Sequence, residues 1–122
     1  MSIATWSAFH TPYNEEEVKK YVPTSGGVYT LWVKYQSGKW KCYYVGKADN
    51  LEARLLAHLD SHEPNTCIKN NVKYTCGFSW IDITTEDERS GAEKYLYDTL
   101  EPECNEIDPG GEPLRITLPP AP

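Results

Sequence analysis

The stretch from Cys42 to Leu59 (Cys-Tyr-Tyr-Val-Gly-Lys-Ala-Asp-Asn-Leu-Glu-Ala-Arg-Leu-Leu-Ala-His-Leu) restricts the fold more than any other part of the chain. Cys42 to Val45 is aromatic and β-branched, which predicts a strand. Gly46 permits a tight turn or a close backbone approach. Asp49, followed three residues later by Glu52, has the form of a capping box. Leu51, Leu55, Leu56 and Leu59 recur at helical spacing and predict a helix over about 50–59 with one buried stripe. Arg54 and His58 lie four residues apart, on one face of that helix. Strand, glycine and helix together bring Tyr44, Lys47, Arg54 and His58 to one crevice, a set that packing alone does not require.

The elements on either side follow from the same signals. Met1 to Tyr13 carries Trp6, Phe9 and Tyr13 without a period and reads as an arm against the domain. Asn14 before Glu15, Glu16 and Glu17 caps a short helix, with Val18 and Tyr21 facing inward and Pro23 ending it. Val28 to Tyr35 reads as a strand, Gln36-Ser37-Gly38-Lys39 as a turn, and Trp40 to Val45 as the returning strand of a hairpin. That pairing makes Tyr29 and Tyr44 neighbours. Asp60 to Asn71 reads as loop or a short helical turn, and Val72 to Ile83 as a third strand with a bulge at Gly77. Thr85-Glu86-Asp87-Glu88 caps a long helix whose buried stripe is Ala92, Tyr95, Leu96, Thr99 and Leu100. Glu93 sits at the edge of that stripe, an unexpected place for a carboxylate. The expected organisation is an N-terminal arm and short helix (1–24), one compact domain (25–106) and a proline-rich extended or mobile tail (107–122).

The chain of 122 residues suits one core. No run is long and apolar enough to span a membrane, and no basic-then-apolar leader begins the sequence, so a cytoplasmic setting without membrane contact is expected. Cys42, Cys67, Cys76 and Cys104 form no Cys-x-x-Cys pair, which argues against a zinc ribbon and for reduced thiols. The net charge of −6 opposes a polyanionic partner, but it is unevenly spread. Lys34 to Lys73 holds seven basic and four acidic residues, whereas Asp82 to Glu112 holds eleven acidic residues against Arg89 and Lys94.

Taken in order, Gly27-Val28-Tyr29, Tyr44-Val45-Gly46-Lys47-Ala48-Asp49-Asn50-Leu51 with Arg54 and His58, a third strand, a helix with Glu93, and Asn105 resemble the GIY-YIG nuclease domain. The resemblance covers about Ser25 to Asn105 and is greatest to the segment found in bacterial excision-repair nucleases and small stand-alone members. Val stands for Ile in both signature tripeptides, a volume-conserving change. The resemblance implies an α+β fold, a small three-stranded antiparallel sheet flanked by helices. It implies hydrolysis of DNA phosphodiesters with one divalent ion, Mg²⁺ or Mn²⁺, held by Glu93. Arg54 matches the arginine that faces the scissile phosphate. Tyr29 and Tyr44 match the signature tyrosines, Tyr29 being the one that handles the attacking water. Asn105 matches a supporting polar residue, and His58 a histidine found in part of the family. Gly46 and Lys47 are expected at the substrate.

The residues are chemically suited to that task. Arg54 offers a two-pronged fork for phosphate oxygens. Mg²⁺ keeps several waters, so a single carboxylate is sufficient protein ligation. A free phenol has a pKa of about 10, so Tyr29 needs either a nearby cation (Lys47, Arg54 or the metal) or a proton acceptor such as His58. His58 reads equally well as a helix-end cation. DNA is the expected partner, with RNA as an alternative, and a homodimer or protein partner would supply specificity because no separate DNA-reading module is present. The competing reading is a nucleic-acid-binding or protein-interaction module of the same fold without cleavage.

Overall fold

The computed structural model describes residues 3–122. Along the chain these form strand β1 (Ile3–Trp6), helix α1 (Glu15–Tyr21), strands β2 (Gly27–Lys34) and β3 (Trp40–Ala48), helices α2 (Leu51–Ala57) and α3 (Thr66–Asn71), strand β4 (Cys76–Ile83) and helix α4 (Glu86–Leu100). The strands make one antiparallel sheet in the order β1-β4-β2-β3. The expected three-stranded sheet therefore gains a fourth strand. The N-terminal arm supplies it: β1 pairs with β4, and Ser7, His10 and Tyr13 continue the backbone pairing along β4 through Trp80, Phe78 and Cys76. An aperiodic segment with Trp6 and Phe9 did not advertise this, because its order comes from the β4 edge it covers.

The two inner strands, β2 and β4, are buried on both faces, which is why each reads as a nearly continuous apolar run. Alternate residues feed two cores. On one face Tyr29, Leu31, Val33, Tyr43 and Phe78 pack with Val18 of α1, Leu51 and Leu55 of α2 and Ile68 of α3. On the other face Val28, Val45, Ile81 and Ile83 pack with Ala92 and Leu96 of α4.

Several local expectations shift. Asn50, rather than Asp49, caps α2, its Oδ1 accepting from Ala53 N at 3.0 Å. Asp49 is held instead by Arg89 at 2.9 Å. Asn14 and Thr85 cap α1 and α4 as expected. Tyr21 is 47% exposed, its ring 4.8 Å from His10, so only Val18 faces inward from α1. Of the expected α4 stripe only Thr99 is exposed: Ala92 and Leu96 are buried with Tyr95 and Leu100 packed beside them, and Arg89 and Gly91 are buried as well. β4 pairs with β2 in unbroken register through Gly77, where the ring of Phe9 occupies the space a side chain would take; register shifts fall instead between Leu31 and Trp32 in the β2–β3 pairing and between Ile3 and Trp6 in the β1–β4 pairing.

Two further corrections concern covalent and chain-end structure. Cys67 and Cys104 form a disulfide, leaving Cys42 and Cys76 as buried free thiols. Their separation of 37 residues carries no motif; α3 and the turn after α4 bring the Cα atoms to 5.3 Å. The support that reduced thiols gave to a cytoplasmic setting is thereby removed. The proline-rich tail is anchored: Leu114 N donates to Gly91 O at 2.8 Å, Trp6 Nε1 donates to Thr117 O at 2.8 Å, and Ile116 joins the α4 core. Among the described residues no helix is long and apolar enough to cross a membrane.

Candidate active site

The hairpin register builds the site. Tyr29 pairs with Gly46 and Leu31 with Tyr44, so both tyrosines emerge on the face covered by α2. A Cβ on Gly46 would lie 2.3 Å from the Tyr29 hydroxyl oxygen, so the missing side chain is the space in which that phenol rests. Gly46, expected at the substrate, thus also gives the Tyr29 phenol its room. The Asn50 cap sets the phase of α2, turning Leu51 and Leu55 inward, His58 toward Tyr29, and Arg54 to the rim.

His58 joins two partners. Its Nε2 is 2.6 Å from the Tyr29 hydroxyl and its Nδ1 is 3.1 Å from Glu63 Oε2. Tyr44 packs edge-on against the imidazole, with ring centroids 5.2 Å apart, and lies 6.1 Å from the Tyr29 ring. Burial raises the Tyr29 hydroxyl well above its ordinary pKa, and the Tyr44 phenol adds to this; Arg54 pulls the other way without prevailing. Burial likewise raises Tyr44 despite the neighbouring Arg54 guanidinium. His58 is lowered, first by burial and then by Arg54, with Glu63 opposing. The resting site is therefore two neutral phenols and a neutral imidazole beside a cation.

In front of them opens a cleft of about 480 Å³ lined by Tyr44, Arg54, Glu93 and Asn105, with Glu63 and the segment 106–109 also in its wall. Glu93 is half-buried, and burial raises its carboxyl above the ordinary range, Lys47 partly offsetting this and Glu86 adding to it. Among the described residues it has no hydrogen-bond or ion-pair partner, so an unpartnered carboxylate faces the cleft. That donor suits a hydrated hard cation that takes most of its ligands from water and phosphate. No cluster of three or more His, Cys, Asp or Glu side chains able to hold a metal occurs among the described residues, so Glu93 would act without other such ligands.

Asn105 is spent on structure: its Oδ1 accepts from Val45 N at 3.0 Å and its Nδ2 donates to Val45 O at 2.8 Å. Its amide thus continues the ladder on the outer edge of β3, next to Tyr44. Lys47 does not line the cleft; its Nζ is bound by Glu86 and donates to Ser90 at 2.9 Å. Tyr29 and His58 stand behind the cleft wall, fully buried.

Sequence reasoning missed Glu63, a loop residue that meets His58, five positions earlier, only because the chain turns back after α2. It also missed Arg89, which donates to Ile83 O at 2.7 Å, Thr84 O at 2.8 Å and Asp49 at 2.9 Å, tying the entry to α2 against the end of β4. A lone arginine in the acidic first half of α4 was the only available signal.

No family model matches the chain, and no curated protein sequence matches it. Two solved structures share its fold: crystal structures of the GIY-YIG N-terminal endonuclease domain of UvrC from Thermotoga maritima, each a single tyrosine-to-phenylalanine variant with its catalytic divalent cation bound. They are 24% and 23% identical, each covering 75% of this chain and 98% of the other with a TM-score of 0.55. The fold is that of the GIY-YIG endonuclease domain.

Proposed function

We propose that the cleft is the active site of a divalent-metal-dependent endonuclease that hydrolyses phosphodiester bonds in DNA. The observation that carries this reading is the meeting of Arg54 and the unpartnered Glu93 in one cleft, in front of the Tyr29–His58 pair. Arg54 binds and orients the phosphate through its planar fork, and the Tyr44 hydroxyl supports it from the same wall. Glu93 holds Mg²⁺ or Mn²⁺, which when bound supplies Lewis-acid stabilisation of the phosphoryl oxygens. Tyr29 takes the proton of the attacking water as it passes its own to His58. A buried phenol is too weak a base at neutrality to act alone, whereas a neutral imidazole is ready to accept. Asn105 holds β3 in place for Tyr44, and Lys47 tempers the charge near Glu93.

Selectivity would come from substrate shape, from a second copy or from a protein partner; RNA is the alternative substrate, and the setting is cytoplasmic. A second reading, a nucleic-acid-binding module without cleavage, is favoured by Glu106 and Asp108 in the cleft wall, which oppose a polyanion. Incubation with supercoiled plasmid and Mg²⁺ or Mn²⁺ separates the two. Nicking or linearisation that EDTA abolishes supports the nuclease. Folded protein that cuts neither plasmid, branched or single-stranded DNA, nor RNA under any of these metals contradicts it.

A further inference from the structure

Glu63 is a carboxylate removed almost wholly from water, its side chain 3% exposed, against an imidazole at 0%. Both its oxygens have assigned neighbours: Oε1 accepts from Asn65 N at 3.2 Å, and Oε2 faces His58 Nδ1 at 3.1 Å. A carboxylate that accepts on both oxygens requires the hydrogen on Nδ1. The lone pair of Nε2 then faces the Tyr29 hydroxyl at 2.6 Å, which must be the donor. The three groups form a directed chain, Tyr29 O–H to Nε2 and Nδ1–H to Glu63. The charged and titratable groups around it are Arg54 from α2, Tyr44 from β3 and Tyr13 from the N-terminal arm.

We propose that Glu63 is a positioning residue of the phosphodiesterase site, holding His58 in the Nδ1–H form so that Nε2 can receive the Tyr29 proton; this rests on the nuclease reading above. In the step, an O–H bond of water breaks and its proton bonds to the Tyr29 oxygen. The Tyr29 proton moves to His58 Nε2, the water oxygen forms a bond to phosphorus, and the bond to the leaving oxygen breaks with its electron pair. The imidazolium charge is balanced by Glu63. The proton returns to solvent or to the leaving oxygen after the bond has broken. The same arrangement of acceptor and orienting carboxylate recurs in acyl-transfer triads, where loss of the orienting group leaves the wrong tautomer.

Long-range ¹⁵N–¹H correlation of the metal-free wild-type protein at neutral pH reads the tautomer without any catalysis. The expected spectrum shows His58 protonated at Nδ1 with a bare Nε2. A proton on Nε2 instead, or on both nitrogens, overturns the assignment. In the cleavage assay Glu63→Gln is expected to lower kcat about a hundredfold with KM unchanged, the low end of a general acid–base contribution, and to regain rate as pH rises. Glu63→Asp, which keeps the charge, is expected to retain more activity. An unchanged kcat in folded Glu63→Gln also overturns it. Wild-type protein that cuts no nucleic acid counts against the nuclease reading, while the spectrum still judges the relay.

Discussion

Burial and one cation compete at the Tyr29 hydroxyl, and burial wins. The sequence suggested that Lys47 or Arg54 would ease this phenol's ionisation. Lys47 is tied to Glu86 and Ser90, and Arg54 does not offset the burial, so in the proposed mechanism the proton passes to His58. His58→Ala should therefore slow cleavage strongly near neutrality and less at high pH, where hydroxide replaces the imidazole as proton acceptor; a rate ratio independent of pH would refute this. The stability effect has a definite sign. The folded-state pKa of His58 is lowered, so the unfolded chain binds the proton first, near pH 6.5. Its contribution is complete above that value and is lost as pH falls toward the folded value, by about 1.4 kcal/mol per unit. Urea midpoints between pH 7.5 and 5 should show the decline, and substitution of His58 should flatten it. Arg54 sits on the rim, so Arg54→Lys should leave the melting temperature nearly unchanged yet cost about 10²–10³ in cleavage rate, since an ammonium lacks the fork. Tyr29, Tyr44, Arg54 and Glu93 were singled out by the resemblance of the ordered motifs to the GIY-YIG domain, and the structure brings Tyr44, Arg54 and Glu93 to one cleft with Tyr29 behind it. Glu63 was not, because nothing in a polar loop shows that one of its carboxylates is buried against His58.

At the scale of elements, β2, β3, β4 and α4 announced themselves through alternation, turn residues and caps. β1 did not: a short edge strand owes its order to the β4 groups it pairs with. The disulfide also escaped notice, because two cysteines 37 apart meet only after α3 and α4 have docked. It binds α3 to the turn that carries Asn105, while Asn65 Nδ2 donates to Cys104 O at 2.9 Å. Cys104→Ser should lower stability by about 2–4 kcal/mol, as for loops of this size, measured by urea unfolding under oxidising conditions. No change would mean the two walls hold without the bond. The tail depends on Gly91, where a Cβ would meet that of Leu114 at 2.8 Å. Gly91→Val should push the strap off α4, seen as lost hydrogen-exchange protection at the Leu114 amide, whereas retained protection would show that the tail accommodates the methyl groups.

Over the whole molecule, an acidic chain concentrates its reactive groups where two cores meet the outer edge of β3. Tyr29, Tyr44, Arg54 and His58 come from the face with α2, and Glu93 from α4, which packs on the opposite face. The edge that separates them is closed by Asn105 and by Cys104 N donating to Tyr43 O at 2.8 Å. The tail and the N-terminal arm meet through Trp6 and Thr117, far from the motif residues, and both lay beyond the reach of local patterns. The central claim is that Glu93 serves a metal-dependent phosphodiesterase in this cleft. The measurement that tests it most directly is the rate of plasmid nicking by wild type and by Glu93→Gln at the same Mg²⁺ concentration, with matching circular dichroism spectra. The account predicts at least a hundredfold loss for the glutamine, which keeps the shape but not the charge, within the range for removal of one transition-state stabilising group (about 10²–10³). Equal rates from the two proteins would contradict it.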